Sequence, residues 1–290
     1  MVGTALTKAL LAGSHTIARL VRSGGEAAQG DVRWDPASAM VDGAAMESVD
    51  AVVHLAGASI ADGRWTAARK AVLRSSRVDS TRLLVDTMAR MPRKPRVLVC
   101  ASATGYYGDR GDEILTEASE PGSDFLALLA RDWEAEAMRA SAAGIRTVLL
   151  RFGMILDAKH GALPKMLLPF RFGLGGRIGT GRQWMPWIAL ADAVRVVFAA
   201  LLDERFEGAV NTVAPNPVRN AEFARIAARV LHRPAILNVP GAALRVMLGE
   251  MAKPLLLASA KVVPEALARM QFAFRYPELE LALQEIVNNH

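Results

Sequence analysis

Two stretches of the chain put small or hydroxyl-bearing residues directly after apolar runs. In the first, Ala51-Val-Val-His-Leu55 is bounded by Asp50 and gives way to Ala56-Gly57-Ala58-Ser59. A run of this kind reads as a strand buried on both faces, the type found in parallel sheets covered by helices. Ligands of such sheets bind outside the carboxyl ends of the strands. Ala56-Gly57-Ala58 leaves backbone there with almost no side chain, so a flat cofactor can lie against it. The same residues would also suit a plain strand-to-loop turn. In the second stretch, Val97 to Ala101 reads as another buried strand and leads into Ser102-Ala-Thr-Gly-Tyr-Tyr-Gly108. That places the hydroxyls of Ser102 and Tyr106 at a strand's carboxyl end, where proton transfer to a substrate oxygen would need them.

The elements that position these groups follow from periodicity. Gly3 to Gly13 has helical spacing, Thr16 to Val21 reads as a strand, and Val32 to Trp34 reads as a short one. Arg64 to Arg90 is a long amphipathic helix with Ser75-Ser76-Arg77 in its middle. Asp124 caps a helix reaching about Ala142, and Arg146 to Phe152 is a third buried strand, from which Gly153-Met-Ile155-Leu156 carries the chain away. Strands alternating with helices give the expected fold class: α/β, a Rossmann-type doubly wound parallel sheet. Residues 1–156 would form that domain. Residues 157–290 would form a smaller, mainly helical substrate region interleaved with it, containing helices from Asp192 to Leu202 and from a capping Asn220 to Leu231. Gln183-Trp-Met-Pro-Trp-Ile188 either walls a pocket or plugs the joint between the two regions.

Arg22-Ser23-Gly24-Gly25 follows the second predicted element immediately. At that place in a dinucleotide-binding sheet an acid selects NAD, whereas an arginine accommodates the 2′-phosphate of NADP. Arg22 thus favours NADP, the alternative being an arginine at a sheet rim.

Composition agrees with a globular enzyme-sized chain: 290 residues, 52% hydrophobic, enough for one large domain with a smaller appended region. The single cysteine, Cys100, excludes an internal disulfide framework and fits a reducing cytoplasmic setting. No run is long enough to span a bilayer, and the start lacks the layout of a signal peptide. The net charge of +6 is scattered and not interleaved with aromatics, so we expect neither nucleic acid nor membrane as a partner, and a small-molecule substrate instead. No metal ligand set is expected. The basic balance reads as solvated surface with a few arginines reserved for phosphate.

Leu55-Ala-Gly57, Ser75-Ser-Arg77, Ser102 with Gly105-Tyr-Tyr-Gly108, Trp133-Glu134, Arg151-Phe-Gly153 and Gln183-Trp-Met-Pro-Trp-Ile188 together resemble the epimerase family of atypical short-chain dehydrogenases/reductases, family 39U. The likeness runs through almost the whole chain. It implies an NADP-binding Rossmann sheet and an NADP-linked oxidoreductase or epimerase, without naming a substrate. By the same resemblance Arg22 would face the 2′-phosphate, Leu55 and Ala56 would border the adenosine, Gly57 would approach the pyrophosphate, Arg77 would reach the cofactor from the long helix, and Ile155 would pack near the nicotinamide. Read without the resemblance, Leu55 and Ile155 are core residues and Arg77 belongs to a solvated helix face.

Two departures bear on that expectation. The Tyr-x-x-x-Lys pair of short-chain dehydrogenases is missing from the helix that starts at Asp124, leaving Ser102 and Tyr106 as the hydroxyl candidates and Arg131 as a poor substitute for the lysine. Of the Gly-x-x-Gly-x-x-Gly turn, only Met1-Val-Gly3 matches, and no strand precedes it. The sequence therefore predicts either a start further upstream or a weakly folded remnant. A protein that binds NADP without turnover, as a sensor or scaffold, is the alternative function.

Overall fold

Parallel backbone pairing sets the frame of the molecule in the computed structural model, which describes residues 1–22, 30–235 and 237–288. Ser23 to Gly25 of the Arg22 segment lie outside the described residues. In chain order the elements that position the site are α1 (Val2–Ala12), β1 (Leu20–Arg22), β2 (Val32–Asp35), β3 (Ala51–His54), α2 (Ala67–Arg74), α3 (Ser80–Arg90), β4 (Val97–Ala103), α4 (Phe125–Ala142), β5 (Arg146–Phe152), α5 (Leu190–Leu202), β6 (Gly208–Thr212) and α6 (Asn220–Val230). Strands β6, β5, β4 and β3 lie side by side in that order, all parallel, with Ala51 opposite Val97 and Val97 opposite Arg146.

Alternation along β4 shows why this sheet needs helices on both faces. Val97 and Val99 pack with Val148 and Leu150 against Ala193, Val196, Val197 and Ala200 of α5, with Leu6 of α1 in the same cluster. Leu98 and Cys100 point the other way, to Leu84 and Met88 of α3 and to Leu129, Trp133 and Ala137 of α4. Successive side chains of a strand leave opposite faces, so an all-apolar strand forms two cores at once. The fold is the doubly wound α/β class expected from the sequence. Asp124 caps α4 as expected, its Oδ1 accepting the Ala127 N–H at 2.9 Å.

Several expected boundaries shift. The strand expected over Thr16 to Val21 is confined to β1, Leu20–Arg22, because its pairing with β2 begins at Leu20 opposite Val32. Among the described residues β1 pairs only with β2, and β3 only with β4, so the sheet is in two parts. Edge-on contact of the Trp34 and His54 rings, 5.9 Å between centroids, joins them. The helix expected from Arg64 to Arg90 starts after a Thr66 cap and widens into a π turn at Ser75–Asp79 between α2 and α3. Asn220 is not a cap: it is the first residue of α6, buried, with its side-chain oxygen accepting the Ile178 N–H at 2.7 Å.

The second half of the chain threads back into the first. Trp187–Ala189 pairs in parallel with Met154–Leu156, and Lys261–Val262 pairs with Ile114–Leu115. A separate apolar cluster joins Leu163, Leu167, Trp187 and Phe223 to Leu279 and Leu283 near the C-terminus. No helix among the described residues is long and apolar enough to cross a membrane.

His54 makes stability pH-dependent. Burial pushes its imidazole from the ordinary 6.5 down to about 4. Between those values the unfolded chain binds a proton that the folded chain does not, so stability present above pH 6.5 is lost as pH falls. At pH 5 that loss comes to roughly 2 kcal/mol. Urea unfolding midpoints at pH 7 and pH 5 should differ by less in His54→Gln than in the parent chain; equal differences would show that His54 does not carry the effect.

Candidate active site

At the carboxyl end of β3 the backbone from Leu55 to Ser59 has no regular structure, and the π turn leans over it. The Ala58 N–H donates to Ser76 Oγ at 3.1 Å, fixing the loop to the turn. A Cβ on Gly57 would stand 3.1 Å from Cζ and Nη2 of Arg77, a tight contact that would push that guanidinium back by a few tenths of an ångström. Arg77 is buried, 9% exposed. Its hydrogen bonds are two long ones of 3.4 Å, to the Leu73 carbonyl and Ser76 Oγ, and its guanidinium lies 5.3 Å from the Trp133 ring centroid. No carboxylate pairs with it among the described residues. Burial, and then the nearby charge of Arg69, pull it down to about 10, which still leaves it cationic at neutral pH. Arg69 donates through Nη2 to the Ser59 carbonyl, while its buried Nε has no partner. Two cations with spare donors thus flank a loop stripped of side chains. This geometry suits an anion, and the reading of Arg77 as a solvated helix residue is corrected.

Gly3, Leu55 and Ile155 gather nearby. A Cβ on Gly3 would lie 4.0 Å from Leu55 Cδ1, and Leu55 and Ile155 are half-buried on one apolar cluster with Val2 and Ala5. Ala56 is half-buried between Leu55 and Gly57. Arg22 stands at the exposed end of β1, where its charge helps hold the Asp35 carboxyl below its ordinary value, after the larger effects of hydrogen bonds from Ser38 and Ala37.

The hydroxyls expected at the end of β4 sit in different surroundings. Ser102 is 4% exposed, and its Oγ donates to Glu134 Oε1 at 2.5 Å. Glu134, on the buried face of α4, accepts two 2.8 Å bonds from Nε and Nη2 of Arg151 on β5. Burial opposes the charge on Arg151, but the hydrogen bonds and charge of Glu134 outweigh it and raise its pKa. Arg151 Nη1 also donates to Tyr107 Oη at 2.9 Å, and that hydroxyl donates to Asn211 Oδ1 at 2.6 Å. Burial pushes the Tyr107 phenol up to about 12. Tyr106, in the 3-10 turn Thr104–Tyr107, is half-buried, with the Arg151 guanidinium 3.6 Å over its ring. Burial raises the pKa of Tyr106 while the Arg151 cation works against the rise, so the phenol is protonated at neutral pH.

Sequence reading singled out neither Arg151 with Glu134 as an ion pair nor Tyr107, Asn211 and Arg69. A signal existed for the pair: one arginine inside an otherwise apolar strand, and one acid among the buried residues of an amphipathic helix. For Arg69 no local pattern separates it from the other helix arginines. Of the aromatic stretch, Trp187 and Ile188 are core and so favour the plug, with Trp187 Nε1 donating to the Asn216 carbonyl at 3.1 Å. Trp184 is half-buried, and Gln183 lines a cavity of about 690 Å³.

Comparison with known proteins bears on this arrangement. Residues 1–212 match the model of the NAD dependent epimerase/dehydratase family, and residues 239–286 match a domain of unknown function. An epimerase family protein of Mycobacterium leprae is 40% identical over 98% of this chain and 91% of its own. The crystal structure of human epimerase family protein SDR39U1 with NADPH superposes with a TM-score of 0.88 at 33% identity, covering 100% of this chain and 97% of the human one. A nucleoside-diphosphate sugar epimerase from Corynebacterium glutamicum gives a TM-score of 0.81 at 35% identity over 99% of this chain and 56% of that one. Identity is sustained along nearly the full length, and the chain belongs to the NAD-dependent epimerase/dehydratase family, in the atypical short-chain dehydrogenase/reductase branch 39U.

Proposed function

We propose that this protein is an NADP-dependent oxidoreductase or epimerase-like enzyme acting on a small molecule in the cytoplasm, with neither nucleic acid nor membrane as a partner. The observation that carries the reading is the buried, carboxylate-free Arg77 guanidinium over Gly57 at the carboxyl edge of a parallel sheet. A dinucleotide fits there: its pyrophosphate needs close backbone approach and cationic donors, and Gly57, Arg77 and the spare Nε of Arg69 offer both. Arg22 would take the 2′-phosphate, Leu55 and Ala56 the adenosine, and Ile155 the nicotinamide side, with Gly3 closing the apolar wall. When bound, the cofactor supplies hydride exchange at its nicotinamide ring.

The chain's own acid–base group is Tyr106. Its phenol is protonated at neutral pH, and the Arg151 cation over the ring favours the phenolate that forms when the proton moves to a substrate oxygen. Ser102 acts as a positioning residue, since its hydroxyl is committed to Glu134 and, through it, to the seat of Arg151. The missing Tyr-x-x-x-Lys pair supports a second reading, a sensor that binds NADP without turnover.

Tight NADPH binding by calorimetry, together with loss of NADPH absorbance against a panel of carbonyl compounds, is the expected outcome; binding without oxidation would favour the sensor, and no binding would overturn both. Arg22→Ala should weaken NADP by about 1.5–3 kcal/mol and leave NAD almost unchanged, because only NADP carries the group it would pair with. Unchanged NADP affinity would place the 2′-phosphate elsewhere. Tyr106→Phe should lower turnover about a hundredfold or more with the NADPH dissociation constant intact. Full activity in that variant would remove Tyr106 from the mechanism.

A further inference from the structure

Past Ile155 the chain carries a carboxylate and an imidazole that the reading above leaves unused. The strand Met154–Leu156 leaves β5 through Gly153, pairs with Trp187–Ala189 and runs into Asp157. Asp157 Oδ2 meets three groups of the loop that follows: the backbone N–H of Lys159 at 3.2 Å, the backbone N–H of His160 at 2.8 Å, and Nδ1 of the His160 ring at 2.8 Å. One oxygen fixes both the loop and the ring. Burial works to raise the Asp157 carboxyl, but the His160 ring and the two N–H groups outweigh it and hold the group below its ordinary range. An ionised carboxylate can only accept, so the ring proton facing it sits on Nδ1. Nε2 is then the atom left for a ligand. The His160 side chain is 62% exposed, and among the described residues its Nε2 has no hydrogen-bond partner.

The loop turns back onto the apolar wall of the cofactor cradle. Gly161 has left-handed backbone, φ +78°, and a Cβ there would stand 3.7 Å from Sδ of Met1 and 3.8 Å from the Ile155 carbonyl. Met1 directly precedes α1, whose Val2 and Ala5 share one apolar cluster with Leu55 and Ile155. The residue next to His160 therefore touches both Ile155 and the start of α1. Arg69 and Arg77 belong to a different place, the loop after β3. At the Ile155 end the wall itself is apolar, and His160 brings an oriented ring nitrogen beside it.

We propose that His160 is a ligand of the nicotinamide half of NADPH, its Nε2 accepting a hydrogen bond from a hydroxyl of the nicotinamide ribose, and that Asp157 is the positioning residue that fixes the tautomer. This rests on the cofactor reading above and adds a polar contact to it. The choice of group follows from the ring chemistry: a neutral imidazole that donates through Nδ1 offers a lone pair at Nε2, which suits a hydroxyl donor and not a phosphate oxygen, itself an acceptor. A turn held by Asp157 for structural reasons alone would need only the two backbone bonds.

The probe is the pair NADPH and 2′,5′-ADP, because the second keeps the adenosine and its phosphates but lacks the nicotinamide half. Dissociation constants are measured by calorimetry at about pH 8, above the ordinary range of imidazole. His160→Ala is expected to weaken NADPH by about three- to tenfold, the effect of one neutral hydrogen bond, and to leave 2′,5′-ADP unchanged. His160→Gln, whose amide oxygen also accepts, should recover part of the loss. Asp157→Asn still offers an oxygen to the loop N–H groups but no longer fixes the tautomer, so it should weaken NADPH by less than His160→Ala does, again without effect on 2′,5′-ADP. Arg77→Gln provides the contrast and should weaken both ligands. Circular dichroism confirms that each variant is folded. Equal affinities for NADPH in the parent chain and His160→Ala, or equal losses for both ligands in that variant, would overturn the proposal and leave the cofactor reading in place. A parent chain that binds neither ligand would overturn the cofactor reading and the proposal with it.

Discussion

A buried ion pair must be complete, and the pair formed by Glu134 and Arg151 is where the sheet, the helix over it and the loop beyond it are fixed relative to one another. Both side chains are almost fully buried, and the two 2.8 Å bonds between them leave Arg151 Nη1 to reach Tyr107 and the Glu117 carbonyl. Taking either charge alone out of water would cost several kcal/mol, so each group is tolerable only with the other in place. Ser102, Tyr107 and Asn211 complete the remaining valences, and each belongs to a different segment: β4, the turn after it, and β6. An apolar filling of equal volume would stabilise the fold as well or better, but it would not hold a cation 3.6 Å above the Tyr106 ring.

The distribution of the other arginines follows from the same electrostatics. Several surface arginines meet a carboxylate one helical turn away or on a neighbouring helix, as Arg82 and Arg139 do with Glu136, and Arg229 with Glu280. Exposed pairs of this kind contribute little to stability, but they cancel charge. Against that background Arg69 and Arg77, the two cations at the glycine loop, have no carboxylate partner among the described residues. Arg77 is the sharper case: a cation stripped of most of its water, given two long hydrogen bonds and no counter-charge, lowers its free energy on meeting an anion.

Much of this was legible in the sequence, for a physical reason that differs from part to part. The strands β3, β4 and β5 announced themselves because burial on two faces demands uninterrupted apolar residues, and Asp124 announced α4 because an unpaired helix N-terminus needs an acceptor. Gly57 was legible as a place of close approach, though not what approached it, since Arg77 comes from a segment twenty residues on. The commitment of Ser102 to Glu134 was not legible, because a serine at a strand's end looks the same whether its hydroxyl faces a ligand or a carboxylate. β1 fell short of its expected length because strand length depends on what lies alongside, and β2 begins opposite Leu20. Propensity within Thr16 to Val21 carries no information about that.

The π turn shows how local geometry was bent to serve the site. Along the long helical segment the buried positions Leu73, Arg77, Thr81, Leu84 and Met88 recur more slowly than the roughly 3.6 residues of an α-helical turn, so a regular helix would carry one end of the row out of contact. The wider turn at Ser75–Asp79 takes up that difference, and it does so where Arg77 leaves the helix toward Gly57. Backbone carbonyls displaced by the widening are met by side chains: Ser76 Oγ donates to the Leu73 carbonyl at 3.1 Å and Ser80 Oγ to the Ser76 carbonyl at 2.8 Å. Ser76 and Ser80 thus do for the backbone what a regular ladder would have done, and in exchange the helix presents a cation inward beside Gly57 in the loop that follows β3.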